Sequence, residues 1–190
     1  METMRRVSEI SQDDLYNQYT VFNTEKSGDQ SVRIFCVENK SYLCISQKKD
    51  RDGKYSVCSS PKNEFLEGTF EERTAFKIQC VQGTIKIIHA KSNSHLFVKA
   101  RIDNIDECTP EELGPGWNEI FPVISDIKKE WYERTVTVYT CPEGECSERE
   151  FQRNTTFQTD TTESGGFRIR SIHNLYLCIY NKNSVCAVGF

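Results

Sequence analysis

Nine cysteines and three histidines are the residues of this 190-residue chain whose chemistry could be put to work. Cys141 and Cys146 have the C-x4-C spacing of half a zinc site, but no second pair of Cys or His follows at ligand spacing. A loop disulfide or two free thiols explains this pair better than a metal does. The sequence therefore predicts no metal and no cofactor.

The three histidines predict structural roles. His95 occupies a hydrophobic strand position, His89 ends a strand and His173 lies in a turn. General-base catalysis needs a positioned partner, which no spacing supplies, so we expect His95 to be a core or cap residue hydrogen-bonded to backbone. Glycine motifs for phosphate binding and for a nucleophile elbow are absent from the sequence. The sequence predicts that the chain is not an enzyme.

Six other cysteines lie in segments predicted to be strands: Cys36, Cys44, Cys58, Cys80, Cys178 and Cys186. Their placement and the odd total favour buried thiols that behave as small hydrophobes over a disulfide framework. The start of the chain has no apolar run of the signal-peptide kind, and no stretch approaches the length of a membrane span. We expect no membrane insertion and a cytoplasmic protein, with secretion by a leaderless route as the alternative.

Three similar hairpins are the elements that must position these residues. Their first and second strands begin at Val32 and Tyr42, at Ile85 and His95, and at Phe167 and Tyr176. A further strand is predicted before each hairpin, at 18–23, 74–81 and 134–140, and the 63–66 segment recurs at 118–121.

Three units of about four strands predict an all-β chain with a β-trefoil fold, in which six strands close a barrel and six form capping hairpins. The chain is predicted to be one domain, 1–190, with units at about 17–72, 73–125 and 130–190. The third unit lacks a counterpart of 63–66, so we expect residues 8–10 to supply the closing strand. A removable leader that ends near Asp13-Asp14 is the alternative.

Three longer segments, 48–54, 101–116 and 141–166, are predicted to be irregular. Long loops on a rigid barrel usually carry binding surfaces. The second loop contains Glu111 and Glu112 and leads to Trp117, an aromatic residue beside a stiff Gly-Pro-Gly turn. These three residues form the predicted partner-binding site. The alternative is that Trp117 only fills the barrel.

The net charge of −4 argues against a polyanionic partner. Basic residues alternate with apolar residues along the predicted strands and do not cluster, which is typical of a solvated strand face. We expect no nucleic-acid partner. Heparin binding is doubtful, because the loop after Val98 is acidic.

One part of the first unit resembles known proteins. Tyr42-Leu43-Cys44-Ile45, then Gly53-Lys54-Tyr55-Ser56-Val57, then Asn63-Glu64-Phe65-Leu66-Glu67 is similar to the strand, glycine turn and bend of the fibroblast growth factors. The spacing also resembles the interleukin-1 family and, more loosely, the fascin-type actin bundlers. All of these are β-trefoils.

The resemblance implies a non-catalytic, cytokine- or growth-factor-like ligand that binds a protein receptor at the cell surface. The alternatives are an intracellular β-trefoil module that binds actin or another cytoskeletal or scaffold protein, as fascin does, and a lectin or inhibitor.

Overall fold

The computed structural model describes residues 15–51, 53–99, 136–181 and 184–189. Within these ranges the strands form one connected, antiparallel sheet, so the chain is all-β, as predicted. The strands are β1 Phe22–Lys26, β2 Val32–Cys36, β3 Ser41–Lys49, β4 Tyr55–Pro61, β5 Phe76–Val81, β6 Thr84–His89, β7 His95–Phe97, β8 Val136–Thr137, β9 Tyr139–Cys141, β10 Phe157–Thr161, β11 Phe167–Ser171, β12 Leu175–Asn181 and β13 Ser184–Gly189. The helices are α1 Thr69–Thr74 and α2 Glu148–Asn154, with a π-helical turn at Leu15–Tyr19 and a 3-10 turn at Lys62–Glu64.

The core contains residues from all three of the predicted units. The third residue of each predicted first hairpin strand is an isoleucine, and the second residue of each predicted second strand is a leucine. The side chains of all six residues are 0% exposed: Ile34, Ile87 and Ile169, and Leu43, Leu96 and Leu177. All six belong to one hydrophobic cluster. Each such side chain contributes on the order of 1.5–3 kcal/mol relative to an exposed one.

Three buried phenylalanines join the repeats into a ring. Phe22, Phe76 and Phe157 each begin a strand and are 0% exposed. Their cross-strand partners lie in another repeat: Phe22 is opposite Phe167, Phe76 opposite Val32 and Phe157 opposite Ile85. The strand that opens each repeat therefore pairs with the repeat before it, and the first repeat pairs with the last.

The segment before each of these phenylalanines carries a motif that the sequence analysis missed. The motif recurs at 16–22, 70–76 and 151–157. It consists of an aromatic residue, three residues of any type, a threonine, one further residue and a phenylalanine. In each copy the threonine hydroxyl donates to the carbonyl of the aromatic residue four positions earlier. The hydroxyl thus adds a side-chain donor to a carbonyl of the helical turn, and at Phe151 this carbonyl also accepts from the Thr155 amide.

Each aromatic ring of this motif docks on the hairpin of the preceding repeat. The ring packs edge-on against a ring at the start of the second hairpin strand, with centroids 4.8–5.3 Å apart, and under a cation from the first strand. The three sets are Tyr16 with Tyr176 and Arg168, Phe70 with Tyr42 and Arg33, and Phe151 with His95 and Lys86.

Several predicted boundaries are wrong. The strand expected at 18–23 begins at Phe22, after a helical turn. The segment 63–66, expected to be a strand, overlaps the 3-10 turn, and the fourth strand of its unit is β4. The segment 141–166, expected to be irregular, contains α2 and β10. Helix α2 begins after Ser147, whose hydroxyl accepts the Glu150 amide, an S-x-x-E capping signal that was overlooked.

The chain end also differs from the prediction. Strand β13 pairs with β12, so the third repeat has its own last strand. The expected closing strand at 8–10 lies outside the described residues. Along the described part of the chain, no helix has both the length and the apolar character that crossing a membrane requires.

Candidate dithiol site

The hairpin β3–β4 places two thiols directly opposite each other. Cys44 faces Cys58 in the register, and their Sγ atoms lie 3.1 Å apart. The neighbours Leu43 and Val57 point into the core. Because side chains alternate along a strand, the cysteines lie on the other face of the hairpin. Local alternation and register thus create a thiol pair outside the main core.

Arg73, in the last turn of α1, covers this pair. Its Nη2 lies 3.7 Å from Cys44 Sγ and 3.6 Å from Cys58 Sγ. Two contacts fix the guanidinium: Nε donates to the Ile45 carbonyl over 2.9 Å, and the group lies 5.1 Å from the Phe65 ring centroid. A positive charge is therefore held against both sulfurs.

The two thiols differ in acidity. A hydrogen bond from the Cys44 thiol, followed by the charge and hydrogen bond of Arg73, lowers the pKa of Cys58 to about 7, although burial acts in the opposite direction. The same hydrogen bond and burial raise the pKa of Cys44. Cys58 is therefore the more acidic thiol of the pair, and Cys44 is the thiol that can donate to it when Cys58 is ionised.

Access to the pair is one-sided. Cys44 is buried and Cys58 is partly exposed. Arg73 also forms part of the wall of a cleft of about 440 Å³, together with Ser46, Tyr55, Glu72, His89 and Lys91, whereas neither cysteine lines it. We call this space the dithiol cleft. Arg73 is the residue that connects this cleft to the two sulfurs.

Two other close cysteine pairs provide a comparison. Cys178 faces Cys186 across β12–β13, and Tyr19 packs against them. Tyr19 follows Tyr16 by three positions, as Arg73 follows Phe70, so a phenol ring stands where the first repeat has a guanidinium. Hydrogen bonding to Cys186 and burial raise the pKa of Cys178.

The third pair, Cys141 and Cys146, has sulfurs 3.9 Å apart. Burial and the neighbouring Cys146 raise the pKa of Cys141 to about 12. In the part of the chain that the structure describes, no group of three or more potential His, Cys, Asp or Glu ligands comes together.

The predicted site residues Glu111, Glu112 and Trp117 lie outside the described residues. Burial of strand cysteines is confirmed for Cys36, Cys44, Cys178 and Cys186, and Cys58 is only partly buried. The exception is Cys80, which is exposed. Strand β5 has only its first residue buried, which explains this exception.

All three histidines are buried, and one of them lacks the hydrogen bond that was predicted for it. His95 is 6% exposed, but its Nδ1 has no hydrogen-bond partner among the described residues, so the expected backbone bond is not found. His89 lies 2.9 Å from both the Ser92 hydroxyl and the Glu72 carbonyl. His173 Nε2 lies 2.8 Å from Asn154 Oδ1. Burial lowers the pKa of His89 and of His95.

No protein-family model matches the chain, and no curated protein matches it. Solved structures that match include the cytolethal distending toxin of Haemophilus ducreyi, with a TM-score of 0.48 and 10% identity over 90% of this chain and 73% of that chain. The toxin of Actinobacillus actinomycetemcomitans matches with a TM-score of 0.49 and 9% identity over 90% of this chain and 80% of that chain. Likeness at this level assigns no function to this chain.

These comparisons correct the family resemblance. The structures matched above are toxins and not growth factors or interleukins, so the predicted resemblance and the cytokine-like function are wrong, and the fascin-like, lectin and inhibitor alternatives have no support. The residues that carried the resemblance hold the fold: Leu43 lies in the core, Gly53 has a φ of 75°, and Asn63 belongs to the 3-10 turn. Such positions do not select a partner.

The prediction that the chain is not an enzyme is contradicted by the same comparison. Its reasoning considered only spacings along the sequence. Cys44, Cys58 and Arg73 come together through strand register and helix docking, which no motif search detects.

Proposed function

We propose that this protein is a redox-active dithiol protein built on a β-trefoil, with one domain over residues 1–190. Cys58 is the attacking thiolate, Cys44 the resolving thiol and Arg73 the group that stabilises the thiolate. The observation that carries the proposal is the 3.1 Å separation of two sulfurs that share one guanidinium.

The β-trefoil is supported by three-fold equivalence at several levels. Three features each occur three times in the chain. They are the core isoleucine and leucine positions, the cross-repeat pairing of the buried phenylalanines and the docking of the aromatic-x3-Thr-x-Phe motif. The first repeat pairs with the last, so the sheet returns on itself, as closure of a barrel requires. An experimental structure that lacks a three-fold axis through the Ile34, Ile87 and Ile169 layer would refute this part.

The reaction is thiol–disulfide exchange. The Cys58 thiolate attacks one sulfur of a substrate disulfide, the substrate S–S bond breaks, and one substrate thiolate leaves. Cys44 then loses its proton and attacks Cys58 Sγ in the mixed disulfide, so a Cys44–Cys58 disulfide forms and the second substrate thiol is released. Two electrons pass from the protein dithiol to the substrate, and both leaving sulfurs end as thiols.

The geometry supports each part of this division. Cys58 has the lower pKa and is the partly exposed sulfur, so it meets the substrate first. Cys44 is buried behind it, where only the mixed disulfide is in reach. A directly opposed pair in one hairpin needs little movement to reach the sulfur–sulfur bond length of about 2.05 Å.

The test is the reaction of the reduced protein with 5,5′-dithiobis(2-nitrobenzoate), followed by peptide mapping by mass spectrometry. We expect a Cys44–Cys58 disulfide in the wild-type protein and a persistent mixed disulfide on Cys58 in Cys44→Ser. Cys58→Ser should lose the fast phase of the reaction.

Cys186→Ser is the matched control, because it removes one thiol from an equivalent hairpin that has Tyr19 in place of the guanidinium. This variant should react at Cys58 as the wild type does. Equal labelling rates at Cys58 and Cys186 in the native protein would refute the proposal. The predicted protein partner and cytoplasmic location have no test in the structure and stay predictions.

A further inference from the structure

A second cleft is adjacent to the dithiol cleft. It has a volume of about 290 Å³, and its wall includes Lys49, Lys54 and Thr140. The two clefts share the wall residues Tyr55 and Ser92; the first lies at Arg73 and the second at the turn between β3 and β4. We call the two clefts together the trough.

The trough is cationic on a protein of net charge −4. Its wall contains four cations, Lys49, Lys54, Arg73 and Lys91, and one carboxylate, Glu72. Glu72 forms an ion pair with Lys91, and Arg73 faces the sulfurs. A concave surface of one sign concentrates ligands of the other sign.

Lys49 and Lys54 are the cations available to a ligand. Neither forms an ion pair with any described residue; Lys49 Nζ lies 5.5 Å from the Tyr55 ring centroid and Lys54 Nζ lies 5.9 Å from that of Phe97. Contacts with ring faces orient an ammonium group and leave its N–H donors unused. Both ammonium groups can therefore donate to a carboxylate.

We propose that the trough binds a small acidic peptide disulfide, with its carboxylates on Lys49 and Lys54 and its sulfur beside Cys58. The choice of a disulfide rests on the proposed dithiol function, whereas the choice of an acidic ligand rests on the trough alone. Arg73 lines the dithiol cleft and contacts both sulfurs, and Ser46, two residues after Cys44 in β3, lines the same cleft, so these two residues connect the thiol pair to one end of the trough. The lysines lie toward the other end, which leaves room for a peptide-sized ligand between charge and sulfur.

The experiment measures binding separately from reaction. S-Methylglutathione carries the carboxylates of a small acidic peptide but, as a thioether, cannot exchange. Its binding to the full-length reduced protein is followed by isothermal titration calorimetry at 50 mM and 500 mM salt. We expect saturable binding that weakens at the higher salt concentration, and loss of binding when both ligand carboxylates are amidated.

The matched variants have the same net charge. Lys49→Glu/Lys54→Glu should weaken binding by at least about tenfold. Lys26→Glu/Lys77→Glu changes two exposed lysines outside the trough wall and should leave binding within about twofold. Equal weakening in the two double variants, or no saturable binding in the wild type, overturns the proposal.

Failure of this proposal differs from failure of the dithiol function. If S-methylglutathione does not bind but Cys58 still forms its disulfide with Cys44, the dithiol function stands without an acidic substrate. If binding follows the lysines but Cys58 reacts no faster than Cys186, the trough is a binding site for acidic peptides, and the choice of a disulfide is wrong.

Discussion

Replacement of Arg73 by methionine should raise the pKa of Cys58 by about one unit. A unit charge 3.6 Å from the thiolate Sγ contributes about 1 kcal/mol at the dielectric constant of water and about 4–5 kcal/mol at an effective value of 20. Cys58 is partly exposed, so the lower figure applies, and 1.36 kcal/mol corresponds to one pKa unit. The midpoint should move from about 7 to about 8.

The assay is the rate of iodoacetamide alkylation at Cys58 between pH 5.5 and 10, located by peptide mapping. The midpoint is more informative than the rate at one pH. A thiolate of higher pKa is intrinsically more nucleophilic, by about threefold per unit, so the plateau at high pH should rise while the rate at pH 7 falls only about twofold.

Arg73→Lys is the control, because it keeps a positive charge and should hold the midpoint within about half a unit of the wild-type value. Thermal melting must show that both variants fold. A midpoint that stays near 7 in Arg73→Met would refute the assignment of thiolate stabilisation to Arg73. Equal midpoints near 8 in both variants would show that fixed geometry matters more than charge.

Three further predictions concern stability, each followed by chemical denaturation. Leu→Ala at Leu43, Leu96 or Leu177 should lower the free energy of unfolding by about 2–5 kcal/mol, whereas Lys77→Ala on an exposed strand should lower it by under about 0.5 kcal/mol. Small effects at all four sites would refute the repeat alignment. Thr155→Val should cost about 0.5–1.5 kcal/mol, because it removes the buried hydroxyl bond to the Phe151 carbonyl, which keeps its bond from the Thr155 amide, and Thr156→Val, at a more exposed threonine with the same kind of bond, should cost less. Burial lowers the pKa of His89 below its ordinary 6.5, so stability should be complete above pH 6.5 and fall as the pH drops further; an unchanged slope in His89→Gln would contradict this.

The fold class could be predicted because the signal is local. Alternation at Val32–Cys36 and at Phe167–Ser171 places Ile34 and Ile169 inward whatever the remainder of the chain does. The helical turns were missed because all three are shorter than two full turns, and their stability comes from a docked ring and a threonine hydroxyl more than from helix propensity. The aromatic-x3-Thr-x-Phe motif was the available signal.

The dithiol site could not be predicted by counting outward from the turn. Cys44 and Cys58 are equidistant from position 51, but Lys49 pairs with Tyr55, so a bulge shifts the register between the turn and the cysteines. Arg73 reaches the sulfurs only because Phe70 docks on Tyr42, a contact between segments 28 residues apart along the chain. Neither the shifted strand register nor the docking of Phe70 on Tyr42 can be predicted from a short segment of the sequence.

The ring closure between the first and last repeats also determines when the protein can fold during synthesis. Tyr16 and Phe22 emerge from the ribosome early, but their partners in β11 and β12 are made about 150 residues later, as the 152-residue separation of Tyr16 and Arg168 shows. Until then, one edge of the first repeat has no strand to pair with and its phenylalanine has no cover. Such late, non-local closure makes folding slow. Partly synthesised chains are therefore the stage at which aggregation, or rescue by a chaperone, is decided.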